Sequence, residues 1–368
     1  MQLVLNSEQQ ELRSVVGKFV AEHAPPDRIR QIMDTPEGFD RELWHRMAGE
    51  LGLAGLVVPE EHGGSGSGNV ERCVVAEELG RALLPTPFLA SAVLAADALL
   101  ALDDSEAQAE LLPELVSGRL VAAVAGGVLG SSDDVTASWR GGTWLLEGRT
   151  APVVLGGVAD VVLVHARTDR GSGWFLVSGG ASGLTRTPLR TLDPTRKLAR
   201  LDFSSAPARL LHAEDAAGTL SKVNDLAVVA LLAEGVGGMQ RALEMTVDYA
   251  KVRVQFGRAI GSYQAVKHSC ADMYCACEQA LSVVRHAAWV ADNDPEQLPL
   301  AAASAQVFVS PAYFRAASDT VQLHGGIGYT WEHDAHFHLK RAKASELLLG
   351  TTAQHRVRVA ALAGIGEN

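Results

Sequence analysis

The chain has 368 residues, 47% of them hydrophobic, enough for two or three globular domains. Its formal net charge of −11 and pI near 5.6 exclude nucleic acid or an anionic membrane surface as the main partner, because the overall field attracts neither. No window offers about 18 uninterrupted apolar residues, and the opening MQLVLNSEQQ lacks a basic region followed by an apolar one, so no transmembrane segment is expected and a cytoplasmic location is.

Residues 1–115 read as an N-terminal all-α domain. SEQQELRSVVGKFVAEHA, FDRELWHRMAGELG and VERCVVAEELGRALL each place apolar residues at three- and four-residue spacings, the period of an amphipathic helix. VVPEEHGGSGSG at 57–68 is a connecting loop; it lacks the Lys-Ser/Thr ending and the strand-loop-helix setting of a phosphate cradle. Over 116–215 the pattern changes to short β-prone runs, LVAAVAG, TWLLEG, VVLVHAR, GWFLVSG and ARLDFSS, separated by Gly, Ser and Asp turns, which predicts a middle antiparallel β domain. Over 216–368 the helical period returns in three long segments, the lengths of a C-terminal four-helix bundle, so the fold class is α+β multidomain.

Four cysteines in a chain of this size are no disulfide framework and suit a reducing compartment. His268, Cys270, Cys275 and Cys277 fall on one predicted helix, where about 100° per residue puts His268 and Cys275 on one face and Cys270 and Cys277 on the other. They cannot converge on one metal ion, and buried packing is the expectation. His333, His336 and His338 are too irregularly spaced for a metal site, and Lys340, Arg341 and Lys343 read as a charged or interface face.

Two segments carry chemistry. In YAKVRVQFGRAIGSYQ, at 249–264, Arg253 precedes a Phe256-Gly257 break and can offer a bidentate donor to a phosphate. In QLHGGIGYTWE, at 322–332, Gly325, Gly326 and Gly328 let the backbone approach a ligand closely. Taken singly, a surface Arg and ordinary turn glycines explain each.

Together, about 70 residues apart and following a helical and a β region, these segments resemble the acyl-CoA dehydrogenase family, as do VVPEEHGGSGSG and LEGRTAPVVLGGVAD. The resemblance implies the three-domain acyl-CoA dehydrogenase fold, FAD as cofactor, an acyl-CoA substrate, and electron-transfer flavoprotein as acceptor. It also implies removal of an α-proton by a glutamate with hydride transfer from Cβ to the flavin. A thioester α-proton is too weakly acidic to leave without a positioned carboxylate. In most of the family that Glu precedes a Gly-Thr pair, which here is Gly350-Thr351 and puts Leu349 at the base position. The second base position known in the family falls at Ala227 or Val228. Neither side chain accepts a proton. Glu346 and Glu244 are fallback carboxylates, with Glu234 on the same helix as Glu244.

The family's flavin-ring motifs align with Gly126, Gly127 and Val128 and with Pro152, Val153 and Val154, which lack the usual hydroxyls and indole. The residues that complete the FAD site of a neighbouring subunit are matched by Arg253, Phe256, Gln322, Gly325 and Gly326, and Thr351 matches a cofactor-contacting Thr beside Ala353. The chain is thus expected to be the base-lacking subunit of a hetero-oligomer with a Glu-bearing relative, of the kind found in actinobacterial systems acting on sterol side-chain thioesters. The alternatives are a self-sufficient homotetramer using Glu346 or Glu244, and a flavin-free CoA-thioester binding protein.

Overall fold

The computed structural model describes residues 4–127 and 134–365. The helical expectations hold. α1 (Ser7–His23) starts at Asn6, whose side chain accepts from the Gln9 amide while Gln9 caps in return. α2 (Pro26–Met33), α3 (Arg41–Gly49), α4 (Asn69–Ala82), α5 (Ala96–Ala101) and α6 (Ser105–Val116) follow. The loop at 57–68 folds back on residues 55–58, with Gly66 N–H on the Val58 carbonyl at 2.9 Å and Ser65 N–H on the Gly55 carbonyl at 3.0 Å, as a connector would.

Seven strands form one sheet: β1 (Ala122–Ala125), β2 (Thr136–Arg140), β3 (Thr143–Val154), β4 (Val161–Thr168), β5 (Gly171–Ser178), β6 (Leu184–Pro188) and β7 (Leu198–Leu211). The pairings β4–β2, β2–β3, β3–β7, β7–β5 and β5–β4 close a ring around Val135, Leu146, Val153, Val164, Phe175 and Leu201, all fully buried. Each such side chain contributes roughly 1.5–3 kcal/mol of burial. The expectation of an antiparallel domain needs correction, because β1 runs parallel to β4, and β2 meets β4 in parallel at Thr136↔Arg167. β1 and β4 are separated by the β2–β3 excursion rather than by a hairpin, and a long connection leaves parallel pairing open. β2 and β6, with sequences TASWR and LTRTP, are exposed or half-buried at all but one position and lack the apolar runs that mark the other strands.

α7 (Ala216–Val252), α8 (Gln264–Asn293), α9 (Leu298–His324), α10 (Ala335–Leu348) and α11 (Thr352–Leu362) complete the chain. α7 is long and apolar enough to cross a membrane by length and composition, but 83% of its apolar window is buried inside the protein. The chain divides into two compact units, Met1–Ile29 with Asn69–Leu84 and Val228–Asn368, and Arg30–Gly68 with Pro85–Ala227. The first joins α1 and α4 to the bundle, cutting across the sequence division. Close helix approach explains the grouping: a Cβ at Gly237 of α7 would collide with the Glu77 carbonyl of α4, and one at Gly238 with the Tyr313 hydroxyl of α9.

Candidate functional site

Within the helical unit, the two motif segments end neighbouring helices. After α7 the chain reverses through the short pair β8 (Val254–Gln255) and β9 (Arg258–Ala259). The loop between them is Phe256-Gly257, with φ of 52° and 82°, a type I′ turn. Glycine adopts that conformation freely, whereas a bulky aromatic does so rarely, and Phe256 is 92% exposed as well. Tyr263 braces the loop from below, its hydroxyl donating to the Gln255 carbonyl at 3.1 Å while the Arg258 guanidinium lies 4.0 Å from its ring centroid. Arg253 is exposed.

At the end of α9, Gln322, Gly325 and Gly326 are exposed, and a Cβ at either glycine would meet nothing within 4 Å. Gly325 has φ of 62°. Two rungs join this segment to α7: the Thr246 hydroxyl donates to Thr320 Oγ1 at 3.1 Å, and the Tyr249 ring stacks on His324 with centroids 4.6 Å apart and planes at 24°. Segments about 70 residues apart in sequence are thereby brought together.

Leu349, expected at the base position, is buried and ends α10. Its carbonyl accepts from His355 Nε2 at 2.7 Å, and the Gly350 carbonyl from Gln306 Nε2 at 3.3 Å. Thr351 caps α11, its hydroxyl accepting from the Gln354 amide at 3.3 Å and donating to Gln354 Oε1 at 3.0 Å. Ala227 and Val228 are buried too. Each fallback carboxylate has a cation: Glu346 is 2.8 Å from Lys343, Glu244 pairs with Arg81 and lies 3.8 Å from Arg241, and Glu234 lies 3.3 Å from Arg341.

In the β-containing unit, the Gly126 amide donates to Thr150 Oγ1 at 3.4 Å and the Gly127 carbonyl accepts from Asn224 Nδ2 at 3.4 Å. Val128 lies outside the described residues. Val153 and Val154 are buried, Val153 within the barrel core, and Pro152 is partly buried beside them.

Among the described residues no His, Cys, Asp or Glu group is arranged to hold a metal ion. Cys277 is buried, and desolvation pushes its thiol up to about 12, but His268 and Cys275 are exposed, so the packing expectation fails at both. His336 and His338 are buried in α10, with His338 Nδ1 3.4 Å from the Tyr313 hydroxyl. Sequence reasoning missed a buried charge cluster. Glu77 of α4, 1% exposed, lies 3.7 Å from Arg13 of α1 and 3.8 Å from Arg285 of α8, while Arg13 also bonds Glu78 at 2.9 Å and Gln240 at 3.0 Å. Its signal was a pair of adjacent acids following an apolar run, in VAEELG.

Two family models match the chain: the acyl-CoA dehydrogenase N-terminal domain over residues 6–119 and the acyl-CoA dehydrogenase C-terminal domain over 226–363. Acyl-CoA dehydrogenase IpdE2 of Mycobacterium tuberculosis is 39% identical over 342 residues, 93% of each chain. The ChsE4-ChsE5 complex from Mycobacterium tuberculosis is similar at a TM-score of 0.91 and 31% identity, with 100% of both chains covered. A variant of the Tcur3481-Tcur3483 steroid ACAD is similar at a TM-score of 0.88 and 31% identity, with 98% of both covered. The chain belongs to the acyl-CoA dehydrogenase family, whose members are flavin-dependent oxidoreductases.

FAD is therefore the cofactor to fit. At the ends of α7 and α9 the residues suit a pyrophosphate, since an exposed guanidinium and an open glycine backbone are its donors. At the positions expected to face the flavin ring they do not, because the amide of Gly126 and carbonyl of Gly127 are already paired and Val153 and Val154 are turned to apolar packing.

Proposed function

We propose that this chain is the base-lacking subunit of a hetero-oligomeric acyl-CoA dehydrogenase that oxidises an acyl-CoA to the 2,3-enoyl-CoA. Its part is to complete the FAD site of a related subunit that carries the catalytic glutamate. One observation carries the reading: both base positions hold buried apolar side chains, Leu349 and Ala227, while Arg253, Gln322, Gly325 and Gly326 stay exposed. Likeness to the ChsE4-ChsE5 complex and to a steroid ACAD supports a two-subunit enzyme acting on a bulky sterol-type thioester. The four free cysteines suit a cytoplasmic setting.

Bound FAD supplies the acceptor for the hydride leaving Cβ. The partner's glutamate takes the α-proton, so the two electrons and the proton are accounted for without a base on this chain. Arg253 binds and orients the pyrophosphate, with Gln322 and the Gly325–Gly326 backbone as further donors. Phe256 covers an apolar part of the cofactor or partner and excludes water. An electron-transfer flavoprotein would be the acceptor for the electrons removed from the substrate. Use of Glu346 or Glu244 as base finds no support, since both are tied to cations.

The test is Arg253→Ala in the chain co-expressed with its glutamate-bearing relative, with flavin per complex read by visible absorbance. Loss of a charged hydrogen bond should weaken FAD by ~1.5–3 kcal/mol. Undiminished flavin, or a yellow and active preparation of this chain alone, sinks the reading. A colourless complex that still binds acyl-CoA would instead mark a flavin-free thioester-binding protein.

A further inference from the structure

We infer that His324 is a positioning residue: packed on Tyr249 and His333, in its uncharged form with the proton on Nδ1, it holds the Arg253 end of α7 against the Gly325–Gly326 turn. The inference rests on the cofactor-supporting role proposed above and names the element that sets and regulates it.

Two donors on different helices can grip one pyrophosphate only if their separation is fixed, since a displacement of about 1 Å at a binding group is enough to lose the interaction. Arg253 stands one turn after Tyr249, its amide donating to the Tyr249 carbonyl at 2.9 Å. His324 immediately precedes Gly325, and its ring stacks on that same Tyr249. The His333 ring packs on His324 at 4.4 Å between centroids, tying the segment after the glycine turn to the same point. One imidazole thus joins the helix that leads into Arg253, the helix that leads into the glycines, and the chain beyond them.

The ring is also fixed in orientation and charge. Nδ1 lies 2.7 Å from the Thr320 carbonyl, which makes Nδ1 the donor and leaves Nε2 a bare acceptor. Nε2 is buried and has no hydrogen-bond partner among the described residues. With 3% of its surface exposed, His324 does not itself reach a ligand. Among the described residues the groups seen against its ring are Tyr249 from α7, the titratable His333 from the following segment and Thr320 from its own helix, and none of these is an anion. Burial accordingly pulls its pKa below the ordinary 6.5, against the smaller opposing pull of the Thr320 carbonyl. A proton added at Nε2 would place an unmatched charge in the stack, so acidification below pH 6.5 should loosen the joint.

The experiment compares wild type, His324→Ala and His324→Phe in the co-expressed complex, reading flavin per complex at pH 7.5 and 5.5, with Arg253→Ala in parallel. Loss of both ring contacts in His324→Ala should weaken flavin retention about tenfold at either pH. His324→Phe keeps an apolar ring and cannot ionise, so it should hold flavin equally at both, while wild type loses it at the lower pH. Hydrogen exchange on the chain by itself gives a second readout: in His324→Ala the 253–259 segment should exchange faster together with 325–330, a coupling that a local defect after α9 would not produce. Full flavin in His324→Ala, identical pH profiles for wild type and His324→Phe, or exchange confined to 325–330 each overturns the inference. If Arg253→Ala leaves flavin unchanged, the cross-subunit reading fails; if it depletes flavin and His324→Ala does not, only the role of His324 fails.

Discussion

Glu77 of α4 lies where that helix meets α1, α7 and α8, and burial pushes its carboxyl up to about 7 even though Arg285 and Arg13 pull the other way. Its two oxygens have no hydrogen bond among the described residues, because the guanidinium nitrogens stand 3.7 and 3.8 Å off. Desolvation at such range outweighs the attraction. A folded pKa of about 7 above the ordinary 4.5 means that the folded state binds the proton more tightly. The stability contributed is therefore complete below pH 4.5 and is lost as pH rises through 7. Glu77→Gln, always neutral, should gain on wild type across that window by on the order of 3 kcal/mol, read as a melting temperature that falls less from pH 5 to pH 8. A difference between variant and wild type that stays constant with pH would show that Glu77 does not titrate there. The adjacent acids of VAEELG were its one trace in the sequence, but helical periodicity assigns acids to a solvated face, and only packing by α1, α7 and α8 puts this one inside. That Leu349 offers no proton acceptor can be read from the residue alone, while its burial at the end of α10 could not be.

The Phe256-Gly257 hairpin was read from sequence as a helix break, which it is, but its tightness was not legible. Register between Gln255 and Arg258 leaves only two residues for the turn, and both must take positive φ. An exposed Phe in that conformation costs of order 1–3 kcal/mol and gains nothing from burial within its own chain. Such strain is consistent with a side chain held for something outside. Phe256→Asn, which suits the left-handed region, should leave this chain as stable or up to about 1 kcal/mol more stable by thermal melting, yet reduce flavin retention in the complex. The opposed signs are the check: a variant that loses both together would make Phe256 an ordinary structural residue. The helix ends were predictable for a related reason. Asn6 and Thr351 each pair with a Gln three residues on, a local pattern that sequence carries whole, whereas the parallel pairing of β1 with β4 depends on a partner 39 positions away.

For the whole molecule, net charge and apolar exposure act against each other. At −11, copies of this chain repel, and the repulsion reaches about 10 Å at 0.1 M salt but only about 3 Å at 1 M. The helical unit meanwhile exposes Phe256 at 92%, Val252 at 74%, Val357 at 72% and Tyr329 at 70%, apolar surface of the kind that favours association. The chain alone should then self-associate weakly at low salt and more strongly at high salt, as seen in its sedimentation-average mass. The reverse trend would mean that ion pairs, not apolar contact, hold the copies together. Adding the glutamate-bearing relative should replace self-association with one mixed species whose mass changes little with salt, because its contact surface is the same apolar one and is then satisfied. Continued growth of homo-oligomers in the presence of that relative would place the exposed residues at a contact between identical chains, and the division of labour between two subunits would have to be abandoned.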